Sequence, residues 1–234
     1  MSTTAADPFV ALAAIASRTD RLRLITSVIA VARRRPQLVV QAAASLDLIS
    51  EGRLVLGVGA GEDQPDFEAF GEPHERSLRI GRMDEALAII DTGLRGEVLE
   101  HDGTHLSAQG VTLGPRPLQQ PRPPMWLGAL KRGGVRKAAH WDGWIGVAMS
   151  EDGGSMSMTP ETFGELVGVA RAERDTGGKA GEPFDIAVLG VNGLDGFTAP
   201  NYGEAGATWW LESLSPMRGT PDELEAIVRG GPPQ

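Results

Sequence analysis

A chain of 234 residues with a net charge of −9 and no cysteine cannot build a disulfide framework, a thiolate metal site or a cysteine nucleophile, and its acidity is wrong for gripping a phosphate backbone. Its 41% hydrophobic residues and 31 glycines suit a single globular α/β domain whose glycines serve turns and ligand loops. The longest apolar run is Phe9 to Ala16 and no basic-then-apolar leader precedes it, so the expectation is a cytoplasmic protein with small-molecule partners, binding neither nucleic acid nor membrane.

Asp7-Pro8 ahead of Phe9, Leu12, Ala13 and Ala16 predicts a capped helix ending near Thr19. Residues 22–31 hold Leu22, Leu24, Ile25, Val28 and Val31, too apolar to alternate, and read as one strand buried on both faces. Pro36 opens a second helix with Leu38, Val39, Ala42, Ala43 and Leu46 on one side, and Gly52 is placed to end it. A strand at 53–58 and a helix at 78–94 continue the alternation. Residues 97–124 are an excursion: a short hairpin turning at His101-Asp102-Gly103, then a proline-rich extended tether. Strands follow at 125–127, 144–148, 184–189 and 208–211, with helices at 135–140, 159–174, 202–205 and 220–229. Strands separated by helices demand right-handed crossovers and a parallel sheet of about six strands, as an open doubly wound sheet or as part of a barrel.

Ordered blocks along this pattern carry a resemblance. Arg35-Pro36, Ala43, Leu46-Asp47, Ser50, Glu51-Gly52-Arg53-Leu54 and Leu56-Gly57-Val58-Gly59-Ala60-Gly61-Glu62 come first. Phe70-Gly71, Arg82-Met83-Asp84-Glu85, Pro115-Arg116-Pro117 and Gln120-Pro121 follow, then Pro123-Pro124-Met125-Trp126-Leu127-Gly128 and Trp141-Asp142-Gly143-Trp144. In this order and spacing the chain, from about Asp7 onward, resembles the luciferase-like monooxygenases. The resemblance implies an α/β fold of (β/α)8 TIM-barrel type, one domain over 1–234 with its excursion at 97–124, holding FMN or the deazaflavin F420 at the carboxyl ends of the strands. Family members carry a strand, a helix and a second strand before the segment matching 7–19, so the barrel is expected to lack its first two strands and first helix. The flanks of 22–31 and 208–211 are then expected to be covered by another chain, by strand rearrangement or by further residues.

The same resemblance assigns site residues. Ser27 and Val28 stand where deazaflavin-using relatives have a bulge with a non-prolyl cis peptide against the ring, which favours F420 over FMN; the alternative is two ordinary strand residues. The run from Gly57 to Glu62 is spaced GxGxG and its acid would repel a pyrophosphate, so it is a poor dinucleotide fingerprint. In the barrel, Gly61 and Glu62 are expected at the cofactor rim, the alternative being a tight turn with an exposed acid. Gly128, Ala129, Lys131, Gly133 and Gly134 lie where a strand runs into a helix, so free backbone N–H groups, the cations Lys131 and Arg132 and the helix dipole converge on an anion. This is the position of the family's phosphate loop, where Gly-Gly or Gly-Ser is usual and Gly128-Ala129 stands here.

Other groups read as structural. His101 and His105 flank Gly103 in a turn and are no helical metal pair. Asp84-Glu85 reads as an ion-pairing surface, and the tryptophans as packing. Arg33-Arg34-Arg35 is either a grip for an acidic cofactor tail or a solvated run. No catalytic acid or base is assigned. The implied function is hydride transfer between reduced flavin or F420 and a small organic substrate, or oxygen insertion with flavin. The implied assembly is a homodimer through the alanine-rich helices at 7–19 and 36–50. The alternative is a truncated non-catalytic paralogue acting as a flavin-binding or partner subunit.

Overall fold

The computed structural model describes residues 6–61, 67–150, 154–215 and 218–232. Backbone contacts group the chain into two compact units, 1–125 and 126–234.

The first unit holds α1 (Pro8–Ala16), β1 (Leu24–Ile25), β2 (Ile29–Ala30), α2 (Pro36–Ile49), β3 (Leu54–Gly59) and α3 (Arg76–Leu94), with a hairpin of β4 (Leu99–Asp102) and β5 (Ser107–Val111). Asp7 caps α1 by accepting from the Phe9 amide at 3.0 Å, and the helix stops before Thr19 because the Ser17 and Thr19 hydroxyls donate back to the Ala14 and Ile15 carbonyls. The expected continuous strand at 22–31 is two short pieces, both parallel to β3: Ile25 lies opposite Val55 and Ile29 opposite Val58, so four steps on this strand match three on β3. That is a bulge of one residue. Thr26 fills it, its buried hydroxyl accepting from the Gly57 amide and donating to the Gly57 carbonyl, both at 2.8 Å. The Ser27–Val28 peptide within it is cis. Burial on both faces also fails, since Leu22 is 55% and Val28 41% exposed; the bulge turns Val28 out of the ladder.

Several blocks of the family signature prove to be fastenings. Arg53 donates to the Ser50, Leu22 and Ala16 carbonyls and to the Thr19 hydroxyl, satisfying orphan acceptors at the end of α1. Asp47 in α2 is fully buried and accepts from the Leu118 and Gln119 amides at 2.8 and 2.9 Å and from Gln119 Nε2 at 2.7 Å. The proline-rich tether is thereby sewn to α2. Asp91 is pushed up by burial, but the guanidinium groups of Arg95, at 2.9 Å, and Arg122 outweigh it and hold the carboxyl below its usual range. Glu85 accepts from the Thr104, His105 and Leu106 amides, clamping the hairpin turn onto α3. Burial would raise its pKa, and these amides more than offset it, leaving it lowered.

The second unit runs from β6 (Met125–Gly128) through α4 (Arg132–Ala138), β7 (Gly143–Val147), α5 (Pro160–Thr176), β8 (Asp185–Gly190), α6 (Ala199–Glu204), β9 (Trp209–Glu212) and α7 (Pro221–Gly230). β6, β7, β8 and β9 pair in that order and in parallel, with Leu127 opposite Trp144, Ile145 opposite Ala187 and Val188 opposite Trp210. Thr159 caps α5 as the sequence predicts, and Thr220 caps α7. α6 starts three residues earlier than the expected 202, because Asn201 closes a capping box on Thr198. Arg174 of α5, 5% exposed, donates to the Ala139, Trp141, Lys179, Glu182 and Pro183 carbonyls and lies 4.5 Å over the Phe184 ring.

Aromatic rings form the core under these strands. Trp144 stacks on Phe163 at 5.1 Å, Phe163 meets the edge of Tyr202 at 5.7 Å, and Tyr202 meets Trp210 at 5.4 Å. The Tyr202 hydroxyl donates to the Met158 carbonyl at 2.5 Å, and burial pushes its pKa from 10.0 up to about 12. A raised folded value means that its contribution to stability is complete below pH 10 and is lost as pH rises toward 12. The chain has one tyrosine, so near-ultraviolet phenolate absorbance reads this residue alone. The expected titration is delayed and coincides with alkaline unfolding; a midpoint near 10 in folded protein would contradict this packing.

Among the described residues, no helix is long and apolar enough to cross a membrane.

Candidate functional site

The predicted cofactor residues fall in two places, one in each unit. In the first unit the site is the carboxyl end of β3. Val28, presented by the bulge, lies against Gly59, where a Cβ would stand 3.0 Å from Val28 Cγ2. Ser27 beside it is exposed. Gly61 has φ +78°, and a Cβ there would stand 3.0 Å from both the Ala30 Cβ and the Phe67 ring. Only glycine meets both demands, so β3 ends in a smooth, side-chain-free rim beside the half-exposed Val28. Glu62 lies outside the described residues.

Arg79 of α3 was not visible as a site residue in the sequence, where it is one charge in an amphipathic helix. It donates to the Gly61 carbonyl and lies 5.2 Å from the Phe67 ring, fixing the rim from beneath. Its Nε is buried and has no hydrogen-bond partner among the described residues. Finding it would have required knowing that Arg79 reaches the Gly61 carbonyl just beyond β3.

In the second unit the site is the loop from β6 into α4. Ala129 is held by the sheet: its amide donates to the Ile145 carbonyl at 3.0 Å and its carbonyl accepts from Trp144 Nε1 at 2.8 Å. Its backbone is therefore spent, and it shapes the loop. α4 starts at Arg132, three residues earlier than the expected 135, with Lys131 as an extended N-cap that makes no side-chain cap. The amides of Arg132, Gly133 and Gly134 are the first-turn donors that a helix leaves without an internal acceptor. A Cβ on Gly134 would stand 2.9 Å from the Ala129 Cβ, so the alanine in place of the family's usual small pair is accommodated by the glycine opposite; around Gly133 nothing lies within 4 Å. Lys131 is exposed and has no ion-pair partner among the described residues. Three open amides, a free ammonium and the helix pole fit an anion.

The remaining candidates separate from these places. His101 Nε2 lies 3.7 Å from Glu85 Oε2 in the hairpin clamp, and Trp126 and Trp144 are fully buried. Among the described residues no group of three or more histidines and carboxylates is placed to hold a metal ion.

The profile of the luciferase-like monooxygenases matches residues 1–189. The chain is 28% identical over 182 residues to the uncharacterized protein y4vJ of Sinorhizobium fredii, covering 78% of this chain and 50% of that one. It is 31% identical over 192 residues to the uncharacterized protein Mb0965c of Mycobacterium bovis, covering 82% and 61%. It thus spans about half to three-fifths of the length of these relatives. Among solved structures it is similar to the monooxygenase RslO1 from Streptomyces bottropensis, with 26% identity and a TM-score of 0.69 over 80% of this chain and 54% of that one. The coenzyme F420-dependent tetrahydromethanopterin reductase from Methanopyrus kandleri gives 17% identity and a TM-score of 0.76 over 95% and 85%. The oxygenating constituent of 3,6-diketocamphane monooxygenase from Pseudomonas putida, in complex with FMN, gives 17% and 0.65 over 79% and 52%. The last two likenesses show the fold alone: α/β, of TIM-barrel type. With the profile covering most of its length and the signature residues fastening the elements they do, the chain belongs to the luciferase-like monooxygenase family.

Proposed function

We propose that this protein is a flavin- or F420-dependent oxidoreductase acting on a small organic molecule. The observation that carries the reading is the β6–α4 loop, where the amides of Arg132 to Gly134 have no partner among the described residues and the exposed Lys131 stands at the carboxyl end of a parallel strand. In this reading Lys131, Gly133 and Gly134 hold the cofactor phosphate, while Gly128 and Ala129 set the loop's path. Ser27, Val28, Gly61 and Glu62 belong to the ring-binding part, where the glycine rim lets a flat ring approach backbone and Val28 gives it an apolar backing. When bound, the flavin or deazaflavin supplies the hydride or oxygen chemistry; the chain binds it, orients it and keeps water out. Of the two cofactors, the Val28 bulge favours F420, and the FMN complex among the similar folds keeps FMN as the comparison.

Anaerobic titration with each cofactor tests the reading. Lys131→Glu is expected to weaken cofactor binding about tenfold or more, roughly 1.4 kcal/mol, because it sets an anion against an anion. Unchanged affinity would remove the phosphate assignment. Binding without turnover of any substrate would favour the partner-subunit alternative.

We further infer one barrel-type domain that acts in the cytoplasm as a homodimer. Val10, Leu38 and Ile49 on α1 and α2 are 68%, 60% and 52% exposed, an apolar surface that a second copy would cover. A monomer in light scattering at micromolar concentration would contradict the dimer.

A further inference from the structure

A cleft of about 250 Å³ opens in the first unit, where the segment before α2, the start of α3 and the β4–β5 turn meet. Among the described residues, Arg33, Arg34, Arg35 and Arg82 line it with a single carboxylate, Glu72. In a chain of net charge −9 this is a local reversal of sign. We propose that the cleft binds a small organic dianion, a phosphate monoester or a dicarboxylate, through Arg35 and Arg82. The proposal uses no residue of the β6–α4 loop and does not depend on the redox reading.

Charge accounting within the cleft supports a dianion. Arg33 Nε is 2.7 Å from Glu72 Oε2, and Arg34 Nη1 is 3.0 Å from Asp7 Oδ2. Arg35 and Arg82 have no hydrogen-bond or ion-pair partner among the described residues. Among the described residues, two guanidinium groups thus remain uncompensated in one hollow, each presenting the planar fork that matches carboxylate or phosphate oxygens. Arg35 is also the N-cap of the 14-residue α2 and makes no side-chain cap, so the positive helix pole adds to the same field.

The cleft is built, unlike a solvated arginine run. Arg33 is pinned by Glu72 and stacks 4.8 Å from the buried Phe67 ring. Glu85 fixes the opposite wall by binding the amides of His105 and Leu106. The His105 ring rests on α3 at Gly81, where a Cβ would come within 2.7 Å of its Nε2. Phe67, Pro73 and Leu106 supply apolar wall, which suits an organic body carrying the two charges better than a bare ion.

Isothermal titration of the full chain with inorganic phosphate and with succinate, at low salt, tests this in the Lys131→Glu background, where the β6–α4 loop is disabled. Both probes are expected to bind and to lose at least tenfold in affinity when Arg35→Ala and Arg82→Ala are added, with the thermal melt unchanged. The exposed pair Arg18→Ala and Arg21→Ala, outside the cleft, is expected to leave affinity intact. No binding in the starting protein, no loss on removing Arg35 and Arg82, or an equal loss in the control pair would overturn the proposal. A free acidic metabolite and the acidic end of a larger cofactor offer the same chemistry. Displacement of phosphate by cofactor assigns the cleft to the cofactor's acidic end, and simultaneous binding assigns it to a separate metabolite; both outcomes uphold the dianion site. Failure here leaves the β6–α4 reading standing, since that is read in Lys131→Glu alone.

Discussion

Replacing Asp47 by alanine is expected to destabilise the protein by about 3–5 kcal/mol, because three donors then lose the fully buried carboxylate that accepts from them. The carboxylate is 0% exposed, and water cannot take its place at the Leu118 and Gln119 amides without opening the tether from α2. Asparagine is nearly isosteric but is expected to rescue little. Oδ2 accepts from two backbone amides and Oδ1 from the Gln119 side chain, so either orientation of an asparagine amide sets a donor against a donor. For a chain of this length the expected fall in melting temperature is roughly 10 °C. Calorimetry of the alanine and asparagine variants checks it. Wild-type stability in the asparagine variant would show that the acceptor count at Asp47 does not matter.

Replacing Arg174 by methionine is expected to cost about 2–4 kcal/mol despite a good match in length and apolar character. Among the described residues, the guanidinium of this nearly buried residue has no carboxylate partner; it is solvated by five backbone carbonyls that close the end of α5 and the turn before β8. Methionine keeps contact with Phe184 but leaves those acceptors unpaired. Lysine retains the charge, yet its three donors on one atom cannot reach the carbonyls that Nη1 and Nη2 bond from two separate nitrogens, so only part of the loss is recovered. Denaturant unfolding of the methionine and lysine variants separates charge from donor geometry. Full recovery by lysine would assign the effect to charge alone.

Both residues were present in the sequence as ordinary charges, Asp47 within a family block and Arg174 at the end of a predicted helix. Neither role was legible, because the groups that define it lie far along the chain: Asp47 bonds residues 71 and 72 positions away, and Arg174 reaches back 35 positions to Ala139. The strand expected at 22–31 failed for the same reason. Its apolar content is local, but its division into β1 and β2 is set by register against β3 and by the Thr26 hydroxyl reaching Gly57. The β6–α4 loop was half legible. Gly133 and Gly134 before an apolar helix announced it, whereas the earlier helix start and the engagement of Ala129 by β7 required the neighbouring strand.

What the sequence determined by itself was whatever acts within a turn or repeats along the chain. Asp7-Pro8 and Thr159-Pro160 set helix starts because a cap bonds amides two or three residues away. Alternating apolar segments set a parallel α/β order because strands joined through helices must run the same way, and the ordered signature blocks set the family. Only the tertiary structure decided which charges are fastenings and which are free. Coulombic and hydrogen-bond terms act over a few ångströms of space whatever the separation in sequence. Arg33, Arg34 and Arg35 are alike as letters; once folded, Glu72 occupies the first, Asp7 the second, and the third has no partner among the described residues and lies beside Arg82.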